Sequence, residues 1–230
     1  MATEPALEPR AAATVLLVRR RGKDASVLMG MRGAAAAFMP SKYVFPGGGL
    51  DAEDSVTDLA AGLGETCLTR LDQNAPLGLG HALAAAALRE TWEETGLILG
   101  EKSPWARPAN WDGFASESFY PSAAGLRFFF RAITPPGRPR RFDARFFLAD
   151  AATLAVDPDD FSRASDELSH LHWVPIGEAR QLNLPFITEV VLAELGALLH
   201  DLPEDAPLPA PQSVPFFDNS GPIPTFRRLI

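Results

Sequence analysis

The sequence predicts an α/β domain, and three observations carry that expectation. Residues 82–97 hold five alanines, then Arg-Glu-Thr-Trp-Glu-Glu-Thr-Gly-Leu, a run of helix formers ended by Gly96, which suits the left-handed position that stops a helix. Two apolar runs, 13–19 and 26–32, flank the turn Arg21-Gly22-Lys23-Asp24-Ala25 and read as a strand hairpin. A second strand pair, 128–134 and 141–149, is linked by Pro-Pro-Gly-Arg-Pro-Arg and precedes a helix at 187–200. With 230 residues, 47% of them apolar, and no internal repeat, the chain suits one compact domain with a full core and a peripheral extension.

In chain order, residues 1–9 read as a flexible N-terminus, and the first hairpin leads into Tyr43-Val44-Phe45-Pro46-Gly47-Gly48-Gly49-Leu50-Asp51. This short apolar run ending in Pro and three glycines suggests a strand feeding a turn, whose bare backbone can offer carbonyls to a metal or amides to phosphate. Residues 56–71 have helical spacing, and 74–80 read as a loop before the acidic helix. Between 100 and 123, Trp105, Trp111, Phe114, Phe119 and Tyr120 sit among Pro, Gly and Ser. An aromatic flap or partner surface competes there with plain edge packing. A helical turn is expected at 176–182, and Val190, Val191, Leu195 and Leu198 mark the buried side of the helix at 187–200. Residues 201–230 carry seven prolines in 30 positions, too many for a helix or a central strand. They predict an extended arm packed on the domain or a partner subunit, its Val214-Pro215-Phe216-Phe217 favouring wrapping over disorder.

The helix at 82–95 has an unusual face. Glu90, Glu93 and Glu94 stand at i, i+3 and i+4, so the helical period projects three carboxylates from one side while Leu88, Trp92 and Thr95 mark the other. Like charges at these spacings destabilise a helix by roughly 0.2–0.5 kcal/mol per pair, and Arg89 offsets part of that through Glu93. A hard divalent ion such as Mg²⁺ or Mn²⁺, which takes carboxylate and carbonyl oxygens, would offset more. Zinc is poorly served: Cys67 is the lone cysteine and reads as an ordinary buried thiol, and His81, His170, His172 and His200 have no ligand spacing. A solvated acidic face is the competing reading.

Taken together, the glycine run and Arg89–Leu97 resemble the Nudix hydrolase signature: a glycine, five residues, a glutamate, seven residues, then REUxEExGU with U apolar. Gly48 matches the signature glycine, Asp54 stands where the first glutamate is expected, and Arg89, Glu90, Glu93, Glu94, Gly96 and Leu97 fill the second half. Thr91 replaces an apolar residue, and the 34 residues 55–88 separate Asp54 from Arg89 in place of seven, so residues 55–80 form an insertion within the Nudix box. That interruption, with FMPSKYVFPGGGLDAEDS at 38–55, TPPGRPRRFDARFFLAD at 134–150 and Arg32 thirteen residues before Phe45, is similar to the subgroup containing the mammalian peroxisomal coenzyme A diphosphatase. The resemblance implies a Nudix α/β/α sandwich with a mixed β-sheet over residues 10–200, followed by the Pro-rich C-terminal arm 201–230.

It also implies roles. Members hydrolyse diphosphates by water attack at phosphorus with divalent ions between glutamates and phosphates. On that analogy Glu90 and Glu94 ligate Mg²⁺ or Mn²⁺, the Gly47 carbonyl adds a ligand, Glu93 shares in metal binding or deprotonates water, and Arg89 holds the carboxylates. Glu167, six residues before Trp173, resembles an additional catalytic or metal-binding glutamate of several members, with a solvated loop acid as the alternative. Arg32, Gly48 and the cluster Arg138, Arg140 and Arg141 are expected at the substrate, since guanidinium forks fit phosphate oxygens. A solvated hairpin turn competes for that cluster.

A net charge of −8 argues against nucleic acid and anionic membranes as partners, and the apolar stretch 11–18 is far short of the ~20 residues a spanning helix needs. With one cysteine and no export signal visible, a cytoplasmic location is expected. Coenzyme A or an acyl-coenzyme A is the first expected substrate, with ADP-ribose, NADH or a nucleotide sugar as competitors. A catalytically silent nucleotide-binding module is the reading from another class, opposed by the intact glutamates. Many members dimerise, and the arm offers a route to a homodimer.

Overall fold

The computed structural model describes residues 7–21, 24–36, 38–105, 111–203, 206–221 and 223–230. Residues 1–6 of the expected N-terminal segment, Gly22 and Lys23 of the first turn, and 106–110 of the aromatic stretch lie outside the described residues. Strands β1 (Arg10–Arg21) and β2 (Asp24–Arg32) form the first hairpin, longer than expected at both ends. They are followed by β3 (Tyr43–Val44), β4 (Gly47–Gly49), α1 (Glu65–Leu71) and α2 (Gly80–Thr95). Then come β5 (Gly100–Lys102), α3 (Asp112–Ser116), β6 (Phe119–Pro121), β7 (Arg127–Ile133), β8 (Phe142–Asp150) and β9 (Leu168–Pro175). Helix α4 (Phe186–Leu199) and strands β10 (Val214–Asp218) and β11 (Thr225–Leu229) complete the order.

Nine of the described strands form one mixed sheet, ordered β11-β10-β7-β8-β1-β2-β3, with β4 beside β1 and β9 beside β2. Its spine is the parallel pairing of β1 with β8, from Arg10↔Phe142 to Val18↔Asp150, while β7 and β8 run antiparallel. Strand alternation divides the core. On β1, Ala13, Val15 and Leu17 join Leu83, Ala87 and Trp92 of α2 on one face, whereas Leu16 and Val18 join Val191, Leu192 and Leu195 of α4 on the other. Helices therefore cover both faces, and the fold is the α/β/α arrangement with a mixed sheet.

Four elements differ from expectation. The three glycines are paired backbone, β4, antiparallel to β1 through Thr14↔Gly47, Ala13↔Gly48 and Ala12↔Gly49, and do not form an open turn. Within 56–71 only Glu65–Leu71 is helical. Gly62 and Gly64 explain the late start: a glycine inside a helix costs about 1 kcal/mol, and Gly64 stands at the cap in an extended conformation. The aromatic stretch packs inward. Trp111 and Phe114 are buried, and Phe114 meets Trp92 of α2 and Trp111 edge to face at 5.8 and 5.2 Å. Lastly, the Pro-rich arm enters the sheet. Strand β10 pairs in parallel with β7 through Phe216↔Arg131 and Phe217↔Ala132, and antiparallel with β11. Pro215 stands opposite Arg228 of β11, one residue before the β7 pairing begins.

Since Phe114 wedges between α2 and the β5–β6 pair, Phe114→Ala is expected to lower the unfolding free energy by about 3–5 kcal/mol. Leu77→Ala, at a position 81% exposed, is expected to stay within about 0.5 kcal/mol in the same urea titration. Equal midpoints for the two variants would refute the assignment of the aromatic cluster to the core.

Candidate active site

Helix α2 ends where its sequence says it should. Gly96 takes φ +72° and its N–H donates to the Trp92 carbonyl at 2.7 Å, closing the helix just after its last acid. Thr91, in place of the apolar residue, is fully buried and donates its hydroxyl to the Ala87 carbonyl at 2.7 Å, so the polar group is satisfied within the helix.

Arg89 is the hub of the acidic end, and all five of its N–H donors have acceptors. Nε and Nη2 grip Asp54 Oδ1 and Oδ2 at 3.0 Å each, Nη2 also reaches the Gly49 carbonyl at 3.1 Å, and Nη1 donates to Glu90 Oε1 at 2.9 Å and Glu93 Oε2 at 3.0 Å. Asp54 is fully buried and also accepts the Asp51 N–H at 2.8 Å. Burial alone would weaken the arginine's charge. Asp54, Glu90 and Glu93 overcome it and leave the guanidinium above its ordinary pKa.

Two of the carboxylates, Glu94 and Glu90, lie against glycine backbone. Gly47 donates its N–H to Glu94 Oε2 at 2.7 Å, and with φ +152° a side chain at Gly47 would place its Cβ 2.4 Å from the Ala13 carbonyl oxygen. At Gly48 a Cβ would stand 2.3 Å from Glu90 Oε1. Burial pushes Glu90 up to about 7, with Glu93 and Glu167 adding repulsion against the pull of Arg89. It pushes the Glu94 carboxyl well above the ordinary range against the Gly47 hydrogen bond, with Glu90 and Glu167 adding repulsion, and raises Glu93 as well.

No three acidic, histidine or cysteine side chains among the described residues converge closely enough to enclose an ion. Arg89 and the Gly47 amide bind these carboxylates. The donor set nevertheless fits a hard divalent cation. Glu94 Oε1 is buried without a partner, and the desolvated Glu90 carboxylate adds repulsion.

Glu167 immediately precedes β9, which the Arg32↔Leu168 pairing sets beside the end of β2, and it accepts a hydrogen bond from Arg32 Nη2 at 3.1 Å. Both line the same cleft of about 1090 Å³ as Glu90, Glu93, Arg89 and the three glycines. Arg138 and Arg140, in the β7–β8 turn, line it too. Arg141 does not belong with them. It is buried, and it donates to the carbonyls of Thr134, Leu7 and Asn219 at 2.9, 2.7 and 3.2 Å, which corrects its expected place at the substrate. Sequence reasoning gave no role to Arg10, Lys42, Phe186 and Phe217, which also line the cleft. They come from four distant segments, and no local pattern links them.

A family model described as the NUDIX domain matches residues 8–195. A NUDIX hydrolase from Alicyclobacillus acidocaldarius, known as a crystal structure, is 27% identical and superposes with a TM-score of 0.63 over 83% of this chain and 92% of that one. A Caenorhabditis elegans protein named putative nudix hydrolase 7 is 29% identical over 179 residues, 72% of this chain and 51% of its own. The chain thus spans about half the length of that curated relative.

Removing Asp54 leaves a buried guanidinium without its bidentate partner, so Asp54→Ala is expected to cost about 3–5 kcal/mol in chemical denaturation. A loss below about 1 kcal/mol would show that Arg89 does not depend on it. The raised carboxyls give a pH dependence of known sign. Folded Glu90 keeps its proton up to about 7 while the unfolded chain releases it near 4.5, so this contribution to stability is full below 4.5 and lost as pH rises to about 7. Thermal melts in chelator are expected to fall across that window, and added Mg²⁺ or Mn²⁺ to restore the melting temperature at the upper end. A flat, metal-independent profile would count against a cation at this face.

Proposed function

We propose that this chain, which belongs to the NUDIX domain family, is a divalent-metal-dependent hydrolase. It would cleave the diphosphate bond of a nucleoside diphosphate linked to another moiety, with coenzyme A or an acyl derivative as first substrate. The observation that carries the reading is the Arg89 clasp. It joins Asp54 and Gly49 before the insertion to Glu90 and Glu93 after it, so a signature split in sequence is one site in space. Support for the coenzyme A choice comes from the interrupted signature, similar to that of the peroxisomal coenzyme A diphosphatase subgroup. Arg138 and Arg140 add guanidinium forks suited to a further phosphate. On this reading residues 10–200 form the catalytic domain, interrupted at 55–80, and 201–230 complete its sheet.

Glu90, Glu94 and the Gly47 carbonyl would hold the cation, with Glu93 sharing. When bound, the ion supplies charge neutralisation of the diphosphate oxygens and acidifies water. The remaining work falls to side chains of the cleft. Glu167, oriented by Arg32, accepts the proton of the water whose oxygen attacks phosphorus. The P–O bond to the bridging oxygen breaks as the new one forms, leaving two phosphate products. Arg89 touches no substrate in this scheme; it keeps mutually repelling carboxylates in place. ADP-ribose, NADH and nucleotide sugars are the competing substrates, and a silent nucleotide-binding module is the competing class.

The test is a panel of coenzyme A, acyl-coenzyme A, ADP-ribose, NADH, nucleotide sugars and nucleoside triphosphates, each with Mg²⁺ and Mn²⁺. Glu94→Gln is expected to lose at least roughly 100-fold in activity, and Glu167→Gln roughly 100-fold or more in kcat, with its limb of the pH profile gone. Binding without turnover across the panel would leave only the silent module. Faster turnover of ADP-ribose or NADH would displace coenzyme A alone, and an unchanged Glu167→Gln profile would remove that residue from the proton transfer.

A further inference from the structure

The cleft that begins at the glutamates ends on residues the family match does not reach. The matched region stops at 195, yet Phe217 and Asn219 of the arm line the same cavity as Glu90 and Glu167. Strand alternation explains how. Phe216 turns into the core beneath α1 and α2 and is 1% exposed, so its neighbour Phe217 faces the opposite side, toward the cleft. There it meets Phe186 at the first turn of α4, ring centroids 6.3 Å apart. Phe186 is 68% exposed. Two adjacent aromatic rings on the wall of a cavity offer apolar surface of the kind that lines ligand sites.

The wall is built in advance. Asn219 Nδ2 donates to the Ile133 carbonyl at 3.0 Å, and Arg141 Nη2 donates to the Asn219 carbonyl. The insertion holds the other side of the arm. Arg70 of α1 donates to the Pro211 and Gln212 carbonyls at 2.6 and 2.7 Å, while Gln73 exchanges hydrogen bonds with the Ile230 backbone at 2.5 and 3.2 Å. Arg131 donates to the Gln73 and Asn74 carbonyls, and its guanidinium lies 4.2 Å over Phe216. Phe217 is thus fixed from behind by the segment that interrupts the signature.

We infer that Phe217 and Phe186 form a specificity wall for an apolar chain on the moiety attached to the diphosphate. The wall is supplied by the C-terminal arm and held in register by the insertion. The inference rests on the hydrolase reading for its link to catalysis. The occupant is part of the substrate because the wall and the acidic end share one continuous cavity, with Ile133 and Phe142 lining it as well.

The experiment uses P²-alkyl esters of ADP with ethyl, hexyl and dodecyl chains. Their affinity is measured by calorimetry on the Glu94→Gln chain and their hydrolysis on the active chain, each alone and with Phe186→Ala, Phe217→Leu or, as an exposed control on the arm, Ile223→Ala. Affinity is expected to rise with chain length by up to roughly fourfold per buried methylene. Phe186→Ala and Phe217→Leu are expected to flatten that rise by about tenfold or more at dodecyl relative to ethyl; Ile223→Ala keeps the full slope. Phe186 is exposed, so its variant tests the wall without risk to folding. Chain-length dependence in binding without hydrolysis of any ester would uphold the wall and reject the hydrolase reading. No dependence in the parent chain, or a slope that survives both wall variants, overturns the inference. So does a wall substitution that changes only sedimentation, which would mean that a second copy covers these rings.

Discussion

A buried guanidinium with five donors and five acceptors is the constraint on which the rest of the molecule depends. Arg89 satisfies three carboxylates and one carbonyl from both sides of the interruption. Lengthening a loop from seven to 34 residues costs about 1.4 kcal/mol in closure entropy, since each doubling costs about 0.6. Breaking a buried pair such as Arg89–Asp54 costs about 3–5 kcal/mol. The added closure entropy is small, and the clasp binds residues from both sides of the insertion, so the two halves of the signature can lie far apart in sequence and still define a single site.

The same clasp leaves charge uncompensated. One guanidinium faces Asp54, Glu90 and Glu93, and Glu94 has only the Gly47 amide for one oxygen and nothing for the other. Burial penalises the ionised forms, so Glu90 and Glu94 are held by the fold in a state better suited to a proton or a cation than to water. Stability and function pull in opposite directions at this helix. The fold tolerates the acids because the alanine face of α2 is packed so completely: Ala82 to Leu88 are all buried against the sheet and its neighbours.

Local order along the chain made part of this readable. The i, i+3, i+4 acids, the Gly96 stop and the strand pairs around 128–149 follow from periodicity, and the structure retains them. What resisted reading was whatever depends on a distant partner. Three glycines look like a bare turn until β1 offers them a ladder. Seven prolines look incompatible with a sheet, yet the β7 pairing starts one residue past Pro215. Arg141 shares its sequence neighbourhood with Arg138 and Arg140, but lies where the carbonyls of Thr134, Leu7 and Asn219 meet. A basic cluster in sequence was therefore divided by burial, and Asp54 gained from burial the bidentate role that its position alone did not reveal.

The insertion and the arm are linked by the same reasoning. A segment such as 55–80 adds backbone whose polar groups and apolar side chains need partners, and α1 alone, at seven residues, is too short to be stable without them. The arm supplies these partners: its carbonyls at Pro211 and Gln212 take Arg70, and its last residue pairs with Gln73. Val214, Phe216 and Leu229 in turn join the buried core cluster that holds Cys67 and Leu71 of α1. The insertion and the arm thus each supply hydrogen-bond partners for the other. Because β10 carries a core residue and a cleft residue at adjacent positions, Phe216 and Phe217, packing that stabilises the insertion also fixes the far wall of the cleft. A change at the α1–arm contact, which contains none of the cleft's glutamates, therefore alters the shape of the cleft before it alters the chemistry at its acidic end.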